Sequence, residues 1–571
     1  GVDIEEADGV QDIGERFFTI FGDEVIGEGF EEDFWYSSNP AELYQNLFNK
    51  ETRPDTRTNT GANSLITLKD FSEIANRMSF KVEFGDSVVK PIFSFEGIFQ
   101  LTKSISLAAS TQEIRFWFEM PAVTELVNYE GFILFIANFS NYKTPSILLN
   151  GISYTYGTKY NRFRAYITDG VSTFIGADDL TSNIFCAPVI RENINSEYEV
   201  LLGTSKGQIL VYNLGSLPSS DPQLKNSFEF DPNIVVKQIA ASKSYFSFIA
   251  DSSLAASDPL FYDSDGNSFS FNGEIPITLG LTKNAEGNYV NIVLTDAKII
   301  YIISNGNLLN SFSLKGVNDI ASFALVDLKQ DGTNYIVLNN GSNIEVYNLA
   351  GSLADNFPFS DPNEVGFYGT PLTTDFEGDS NSEIISITED GRIYALDGGT
   401  GKVVTGFPIS SGAGSSVTPV FYNADGKTNL AVLNDRNIFA GWSISSVEGK
   451  IYWSEEHGNP QNTSFVDAAE NTNRINEFFP TNRAYNYPNP VYEGTTNIRY
   501  YVSEDSKISI KIFDLAGDFV AELNDDAQGG MDNETIWNVG DIQSGVYFAR
   551  IEASSTSGKT EQAIIKIAVV K

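Results

Sequence analysis

Cysteine and histidine are almost absent from this sequence. Its 571 residues include one cysteine, Cys186, and one histidine, His457. A single cysteine excludes a disulfide within the chain, and a single histidine excludes any zinc site that needs two imidazoles, such as a His-Glu-x-x-His site. A catalytic Cys–His pair is possible by composition, but the two residues fall in distant parts of the chain. A buried structural cysteine is the favoured interpretation.

Basic residues are also scarce. The chain has 37 Lys and Arg residues against 75 Asp and Glu residues, for a formal net charge of −38. Binding to a phosphate backbone needs clustered Lys and Arg, so nucleic acid is not expected as a partner. The surplus carboxylates favour hard cations, and bound calcium is the expected brace for a protein that has no disulfide.

Long apolar runs and phosphate-binding loops are missing as well. The longest apolar run, at 132–137, has six residues, whereas a membrane-spanning helix needs about 20. No Gly-rich loop follows a predicted strand and opens a helix, so nucleotide chemistry has no support. Paired carboxylates are so frequent that no glycosidase pair can be recognised.

A repeat occupies the middle of the chain, between about residues 87 and 455. Each unit has an aliphatic strand, a Gly or Asn turn, a second strand that ends in an aromatic or aliphatic residue, and a polar loop. The period is 44 to 48 residues, measured at the equivalent positions Leu201, Ser247, Asn291, Ile336, Ile384 and Leu430. This period predicts an all-β fold with a β-propeller of eight blades; seven remain possible because the first two copies are degenerate.

The loops that precede the strand pairs carry acidic residues. In the clearest loop the carboxylates stand at positions 1, 3, 5 and 9, and the next best loop keeps the first and fifth acids but has Lys329 at the third. Such spacing suits a tight loop around calcium, and the loops resemble those of FG-GAP-type propellers. The alternative is an ordinary tight turn, which also favours Asp, Asn and Gly. The candidate metal ligands are Asp375, Glu377, Asp379 and Glu383 in the first loop, and Asp327 and Asp331 in the second.

The last 87 residues, 485–571, alternate apolar and polar side chains in short segments separated by turn formers. This alternation predicts a small antiparallel sandwich of the immunoglobulin-like type. The order of its motifs resembles the C-terminal sorting domain of the type IX secretion system of Bacteroidetes-like bacteria. The resemblance implies export by the type IX machinery to the cell surface or the extracellular space. The motifs are Tyr-Pro-Asn-Pro at 487–490, Asp-Leu-Ala-Gly at 514–517, Trp-Asn at 537–538, Ser-Gly-Val-Tyr at 544–547 and Val-Val-Lys at 569–571.

The first 84 residues do not belong to the repeat. Residues 1–9, 33–36 and 52–57 resemble the end of the catalytic domain of immune-inhibitor-A-like zinc metallopeptidases. Strand alternation offers a simpler account, in which Val2 and Ile4 face inward and the acids form a solvated edge. The resemblance implies structural calcium ligands or cleft carboxylates at Asp3, Glu5, Glu6 and Asp8.

The same family requires a motif that this chain lacks. Without His-Glu-x-x-His the chain is predicted not to be a peptidase, to have no catalytic residue and to hold no zinc. The segment 452–463 resembles the tail that closes many secreted propellers, which makes His457 a closing-loop residue. An acidic start at 1–8 also lacks the layout of a signal peptide, so we expect the chain to be a fragment of a precursor.

These observations predict a metallopeptidase-like remnant at 1–86, a propeller at 87–457, a linker at 458–484 and the sorting sandwich at 485–571. One short helix is expected at 40–49. The favoured function is a non-catalytic surface scaffold that binds a protein or glycan on a propeller face. Its own N-terminal catalytic-like fragment is a further possible partner. The alternatives are an accessory chain of a secreted zinc protease and a structural subunit of a surface layer or filament.

Overall fold

The computed structural model is almost entirely β-structure and forms two compact units, Gly1–Ala469 and Glu470–Lys571. It describes residues 5–10, 12–18, 20–86, 88–97, 102–109, 115–120, 124–128, 130–137, 143–149, 152–159, 162–168, 173–180, 182–216, 222–252, 260–284, 287–316, 322–330, 332–379, 381–445, 448–467, 478–479, 484–492, 494–502, 504–527, 531–555 and 558–570.

The N-terminal part of the first unit contains two small sheets and one turn of 3-10 helix. The helical turn spans Glu31–Asp33. The first sheet pairs Arg16–Phe18 with Glu24–Ile26, and the second contains Leu47–Phe48, Ile66–Lys69 and Lys81–Phe84.

The helix predicted at 40–49 is wrong, since this stretch holds turns and the strand Leu47–Phe48. Asn46 adopts a left-handed φ of 53°, which interrupts a right-handed helix. Leu43 is exposed, whereas Phe48 packs with its ring centroid 4.9 Å from that of Trp35. The apolar spacing at this site therefore serves a local aromatic contact rather than a helical face.

The described residues next form eight sheets, each built around four antiparallel strands, and we number them as blades 1 to 8 in chain order. The strands of blades 1 to 4 are Ser104–Ala109, Arg115–Glu119, Thr124–Asn128 and Ile133–Ala137; Ser146–Leu149, Ile152–Lys159, Arg162–Thr168 and Thr173–Asp179; Val189–Glu192, Tyr198–Gly203, Gln208–Gly215 and Gln223–Glu229; and Ile234–Ala241, Phe246–Ser252, Phe261–Asp263 and Ser268–Phe269.

Blades 5 to 8 continue the pattern, with a fifth strand in blade 7 and a distant strand in blade 8. Their strands are Pro276–Lys283, Tyr289–Thr295, Ile299–Ser304 and Asn307–Ser313; Ala324–Asp327, Asn334–Asn340, Asn343–Asn348 and Phe359–Ser360; Phe367–Asp375, Glu383–Thr388, Arg392–Asp397, Ile409–Ser410 and Lys450–Trp453; and Val420–Ala424, Lys427–Leu433, Ile438–Ser443 and Lys90–Glu96.

The blades close into a ring. The first strand of blade 8 lies beside the first strand of blade 1, as neighbouring first strands do elsewhere in the ring. The outer strand of blade 8 comes from the other end of the repeat, since Lys90–Glu96 pairs antiparallel with Ile438–Ser443. Gly441 is needed at this seam because a Cβ there would stand 2.4 Å from Cε1 of Phe93. The all-β propeller prediction is confirmed, with eight blades.

The segment 450–467, which we call the axial segment, runs along the inner strands of the ring. Its first part, Lys450–Trp453, pairs with the first strand of blade 7. Carbonyl groups farther along accept hydrogen bonds of 2.7 to 2.9 Å from first-strand N–H groups of blades 8, 2, 3, 4 and 5. The donor and acceptor pairs are Phe421 and Ser454, Ser146 and Pro460, Ile190 and Gln461, Ala241 and Thr463, and Leu281 and Ser464.

The second unit contains two sheets whose inward side chains share one core. The immunoglobulin-like type of this arrangement and the four domain boundaries stay predictions. In the described part of the chain, no helix has the length and apolar character that a membrane crossing requires. One sheet comprises Tyr485–Tyr487, Thr495–Val502 and Met531–Asn538, and the other comprises Ser506–Asp514, Phe519–Ala527, Gly545–Ser555 and Thr560–Val569.

Candidate functional site

The acidic loop of blade 7 brings three of its predicted ligands together. Asp375 ends the first strand of the blade and Glu383 begins the second, so the turn between antiparallel strands folds both ends toward Asp379. One carboxylate oxygen of each residue lies within 4.8 Å of those of the other two. This closeness satisfies the first requirement of a cation site.

Glu383 is the most unusual member of this group. Its side chain is 0% exposed. Oε2 accepts the N–H of Phe376 at 2.7 Å, while Oε1 has no hydrogen-bond partner in the described part of the chain. Burial raises the pKa of Glu383 to about 10 against the lowering effect of that N–H, and neighbouring carboxylates add to the rise. An unpaired buried oxygen among acids is costly unless a cation binds it.

The remaining carboxylates of the loop are held by hydrogen bonds that orient them. Oδ1 of Asp375 accepts the N–H of Gly378 at 2.7 Å, and Oδ1 of Asp379 accepts the N–H of Asn381 at 2.8 Å. Hard oxygen donors fixed around a buried, orphaned oxygen suit calcium better than a transition metal. The residues present therefore fit a calcium ion held by Asp375, Asp379 and Glu383.

A second carboxylate group adjoins the first and shares Asp379 with it. Glu377, Asp379 and Asp397 also bring one oxygen each within 4.8 Å of the others. Loss of water and the charges of nearby acids raise the pKa of Glu377 to about 7. The loop spacing could not reveal Asp397, which ends the third strand; its register directly opposite Glu383 places it there.

The second predicted loop, in blade 6, contributes differently. Asp327 is buried, and its Oδ2 accepts the N–H of Gly332 at 2.8 Å, as in an ordinary tight turn. Asp331 lies outside the described residues. Gln330 donates a hydrogen bond from Nε2 to Oδ2 of Asp375, so this turn supports the blade 7 loop from the side. Metal binding at Asp327 and Asp331 stays a prediction.

Near the N-terminus three carboxylates lie together in a combination that the sequence did not suggest. Glu6 lies with Asp12 and Asp33, each with one oxygen within 4.8 Å of the others, and Glu5 and Asp8 are not in the group. Asp3 lies outside the described residues. Glu6 accepts the N–H groups of Asp12 and Ile13 at 2.8 Å each, and Asp33 accepts the N–H of Phe30.

Partial burial, followed by the charges of Glu6 and Asp33, raises the pKa of Asp12. Its Oδ1 is buried and has no hydrogen-bond partner among the described residues. Both Asp12 and Asp33 reach Glu6 through backbone turns, and no spacing pattern signals that approach. Calcium binding by Asp3, Glu5, Glu6 or Asp8 remains a prediction.

The single cysteine and histidine occupy structural positions. Cys186 is buried and its Sγ donates to the carbonyl of Gly203 at 3.8 Å; burial raises its pKa to about 12, so the thiolate nucleophile is suppressed. His457 lies in the axial segment, with Nδ1 3.4 Å from Nε2 of Gln238. Loss of water and the charge of Lys143 lower its pKa to about 3, which keeps the ring neutral.

A buried charged cluster joins the axial segment to blades 1 and 2. Nζ of Lys143 donates to the carbonyl of Asn459 at 3.1 Å and lies 3.8 Å from Oε1 of Glu455. Glu119, at the end of a blade 1 strand, accepts from Oγ of Ser104 at 2.9 Å. Burial raises the pKa of Glu119 to about 8 and that of Glu455 to about 7, while Lys143 lowers both.

A cavity of about 530 Å³ opens above the axial segment. Pro460, Gln461 and Phe465 contribute to its floor, and its walls include side chains at the ends of first strands, among them Ile190 and Arg191. The cavity lies on the face formed by the turns between first and second strands. The acidic loop of blade 7 is one of these turns, so both features share one face.

The C-terminal unit matches a known family. Residues 486–566 match the family model described as the secretion system C-terminal sorting domain. This is the type IX sorting domain, and the protein is exported to the cell surface or the extracellular space. No curated protein matches this chain.

The solved structures similar to this chain include two propellers. The Dos1 propeller is 11% identical at a TM-score of 0.43 and covers 62% of this chain and 96% of its own. The WD40 β-propeller domain of Doa1 is 12% identical at a TM-score of 0.34, and the match covers 63% of this chain and 98% of that domain. A europium-containing methanol dehydrogenase is 9% identical at a TM-score of 0.42, and the match covers 62% of this chain and 93% of the dehydrogenase chain.

The axial charged cluster predicts a decline in stability as the pH rises. Folding raises the pKa of Glu119 from its ordinary value of 4.5 to about 8. The protonated carboxyl therefore contributes stability that is fully present below pH 4.5 and is lost as the pH rises to about 8. Glu119→Gln should flatten the dependence of the unfolding free energy on pH between these values, because the amide cannot ionise.

Urea denaturation of full-length protein at several pH values measures this difference. Glu130→Gln, an exposed change in the same blade, serves as the control and should follow the wild type. A Glu119→Gln profile parallel to that of the wild type across the whole range would contradict the assignment.

The blade 7 loop predicts a calcium-dependent gain in stability. Calcium at 100 times its dissociation constant should raise the unfolding free energy by about 2.7 kcal/mol, since it binds only the folded loop. Glu383→Gln should abolish the gain. In chelator this variant should be at least as stable as the wild type, because folding without a cation forces the buried carboxyl to take up a proton and the amide avoids that cost.

Thermal melting with calcium or with chelator measures both effects, and Glu364→Gln, an exposed change between blades 6 and 7, is the matched control. Equal melting temperatures of the wild type in calcium and in chelator would show that the loop holds no calcium.

Proposed function

We propose that this exported propeller is a non-catalytic binding module that presents the face formed by its first-to-second-strand turns. The observation that carries the proposal is the axial segment, whose carbonyl groups accept hydrogen bonds from inner-strand N–H groups of five blades. The segment is thereby fixed along the inner strands, and we assign ligand binding to the cavity above Pro460, whose floor it forms. Its volume falls in the range of about 300–1,000 Å³ that ligand sites occupy.

The lining of the cavity suits a protein or glycan partner. Leu149 and Phe465 supply apolar surface, while Arg191 and Lys243 supply charge. Arg191 is held by Glu199 at 2.9 Å, so its guanidinium is oriented before any ligand arrives. Preorganised polar groups around an apolar floor give orientation at low entropic cost.

Calcium has a structural role in this proposal. A cation bound by Asp375, Asp379 and Glu383 would tie the two strands of the blade 7 turn together and neutralise part of the acidic face. The three carboxylates stand at the ends of two paired strands and in the turn between them, so a bound cation would join these backbone elements. The proposal therefore assigns the ion to bracing rather than catalysis.

A second candidate function, accessory chain of a secreted protease, is favoured by one observation. The N-terminal hairpin exposes Phe18, Ile20 and Phe21 by 74%, 95% and 85%. Apolar side chains exposed together mark contact surfaces in soluble proteins. A catalytic-like fragment of a metallopeptidase-like precursor is the partner that the N-terminal resemblance suggests for this surface.

A photo-cross-linking residue placed at Lys243 tests the binding face on intact cells. Lys243 lies in a first-to-second-strand turn with its side chain 66% exposed, and Lys206 lies exposed in a second-to-third-strand turn on the opposite face. The Lys243 position should yield a discrete cross-linked partner that the Lys206 position does not.

Loss of that product on Arg191→Ala would confirm that the cavity makes the contact. Equal cross-linking from both positions, or from neither, would contradict the proposed face. A partner captured only from the hairpin, at Phe21, would favour the accessory role instead.

A further inference from the structure

One face of the sorting domain differs in chemistry from the other. The sheet formed by Ser506–Asp514, Phe519–Ala527, Gly545–Ser555 and Thr560–Val569 carries opposite charges in register on its outer face, beside the separate exposed side chains of Phe519 and Ile564. Lys507 stands opposite Asp526, and Lys511 stands opposite Glu522, with nitrogen-to-oxygen distances of 3.9 and 3.8 Å. Cross-strand pairs of this kind suit a solvated face.

The other sheet presents a different surface. In its register Tyr485 stands beside Arg499 and Glu534, and Tyr487 stands beside Asn497 and Ile536. These side chains alternate with the buried Ile498, Tyr500, Thr535 and Trp537, so they point away from the core. We call this set the tyrosine face.

The tyrosine face keeps large apolar groups in contact with water. Tyr485, Tyr487 and Ile536 are 44%, 37% and 62% exposed. The two tyrosine ring centroids lie 6.2 Å apart, and the Tyr487 hydroxyl donates to Oε1 of Glu534 at 2.5 Å. The rings are thus held in place before binding, which lowers the entropic cost of an interface.

Core packing does not account for Tyr487, although it opens the Tyr-Pro-Asn-Pro motif that carries the family resemblance. Trp537, another residue of those motifs, is 2% exposed and belongs to the core. The position of Tyr487 on the surface therefore needs an explanation other than core packing. Tyrosine, arginine and exposed aliphatic groups together have the composition of a protein-binding hot spot.

We propose that the tyrosine face, formed by Tyr485, Tyr487, Arg499, Glu534 and Ile536, is the surface through which the protein component of the export machinery recognises this sorting domain. The family match supplies the occupant, because a sorting domain must contact that machinery. The chemistry implies a receptor surface with an apolar depression for the two rings. The inference depends on export and is independent of what the propeller binds.

Export of the full chain from a bacterium with a type IX system tests the proposal. The variant Tyr485→Thr/Tyr487→Thr/Ile536→Thr keeps a β-forming residue at each of the three strand positions. Loss of hot-spot contacts should reduce the amount at the cell surface and in the medium by about tenfold, with protein retained inside the cell. The matched control, Lys507→Thr/Lys511→Thr/Ile564→Thr, changes the opposite face, where Ile564 is 67% exposed.

Control export at the wild-type level, with melting temperatures of both purified variants near the wild type, would support the assignment. Wild-type export of the tyrosine-face variant would overturn it, as would equal loss from both faces. If the triple variant melts early, the single changes Ile536→Thr and Ile564→Thr decide: a defect confined to Ile536→Thr supports the face, and equal export refutes it. A face that instead joins two copies would give a dimeric wild type, a monomeric variant and unchanged export, which also refutes it.

Discussion

Closure of the ring is the constraint on which the propeller depends. The outer strand of blade 8 is supplied by Lys90–Glu96, far from its partner Ile438–Ser443 in the chain. Bringing such distant segments together costs loop entropy, which must be offset at the seam. The seam is aromatic: Phe439 packs against Phe93, Phe95 and Phe116, with ring centroids 4.9 to 5.7 Å apart. Burial of these rings and the strand pairing together hold the last blade to the first.

Ring closure also holds the axial segment against the inner strands. The carbonyl groups of this segment accept hydrogen bonds from first-strand N–H groups, and Lys143, just before the first strand of blade 2, holds the segment through a buried charged contact with Glu455. The proposed binding role uses the face where the first and second strands turn. On that face the acidic loop at Asp375 and the cavity above Pro460 lie on one rigid ring. The same closure that stabilises the fold therefore also fixes the positions of this loop and this cavity.

The sequence predicted whatever local periodicity controls. Strand alternation and a period near 45 residues are sufficient for the propeller, and carboxylate spacing is sufficient to place Asp375, Asp379 and Glu383 in one turn. Contacts made across strands were out of reach: Asp397 joins that loop by register alone. The expected helix at 40–49 fails because the left-handed φ of Asn46 is set by its surroundings rather than by apolar spacing. Long-range packing, which leaves no periodic signal, accounts for these misses.

Hydrogen exchange of the full chain, followed by mass spectrometry, tests the closed ring most directly. Amides that open only in global unfolding exchange together, whereas those of an unpaired strand exchange almost at once. Because Lys90–Glu96 is an edge strand, the closed ring predicts strong protection for those of its amides that bond to residues 438–443, its strand partners. Rapid exchange of those amides with continued protection at 438–443 would show that the N-terminal strand does not close the propeller.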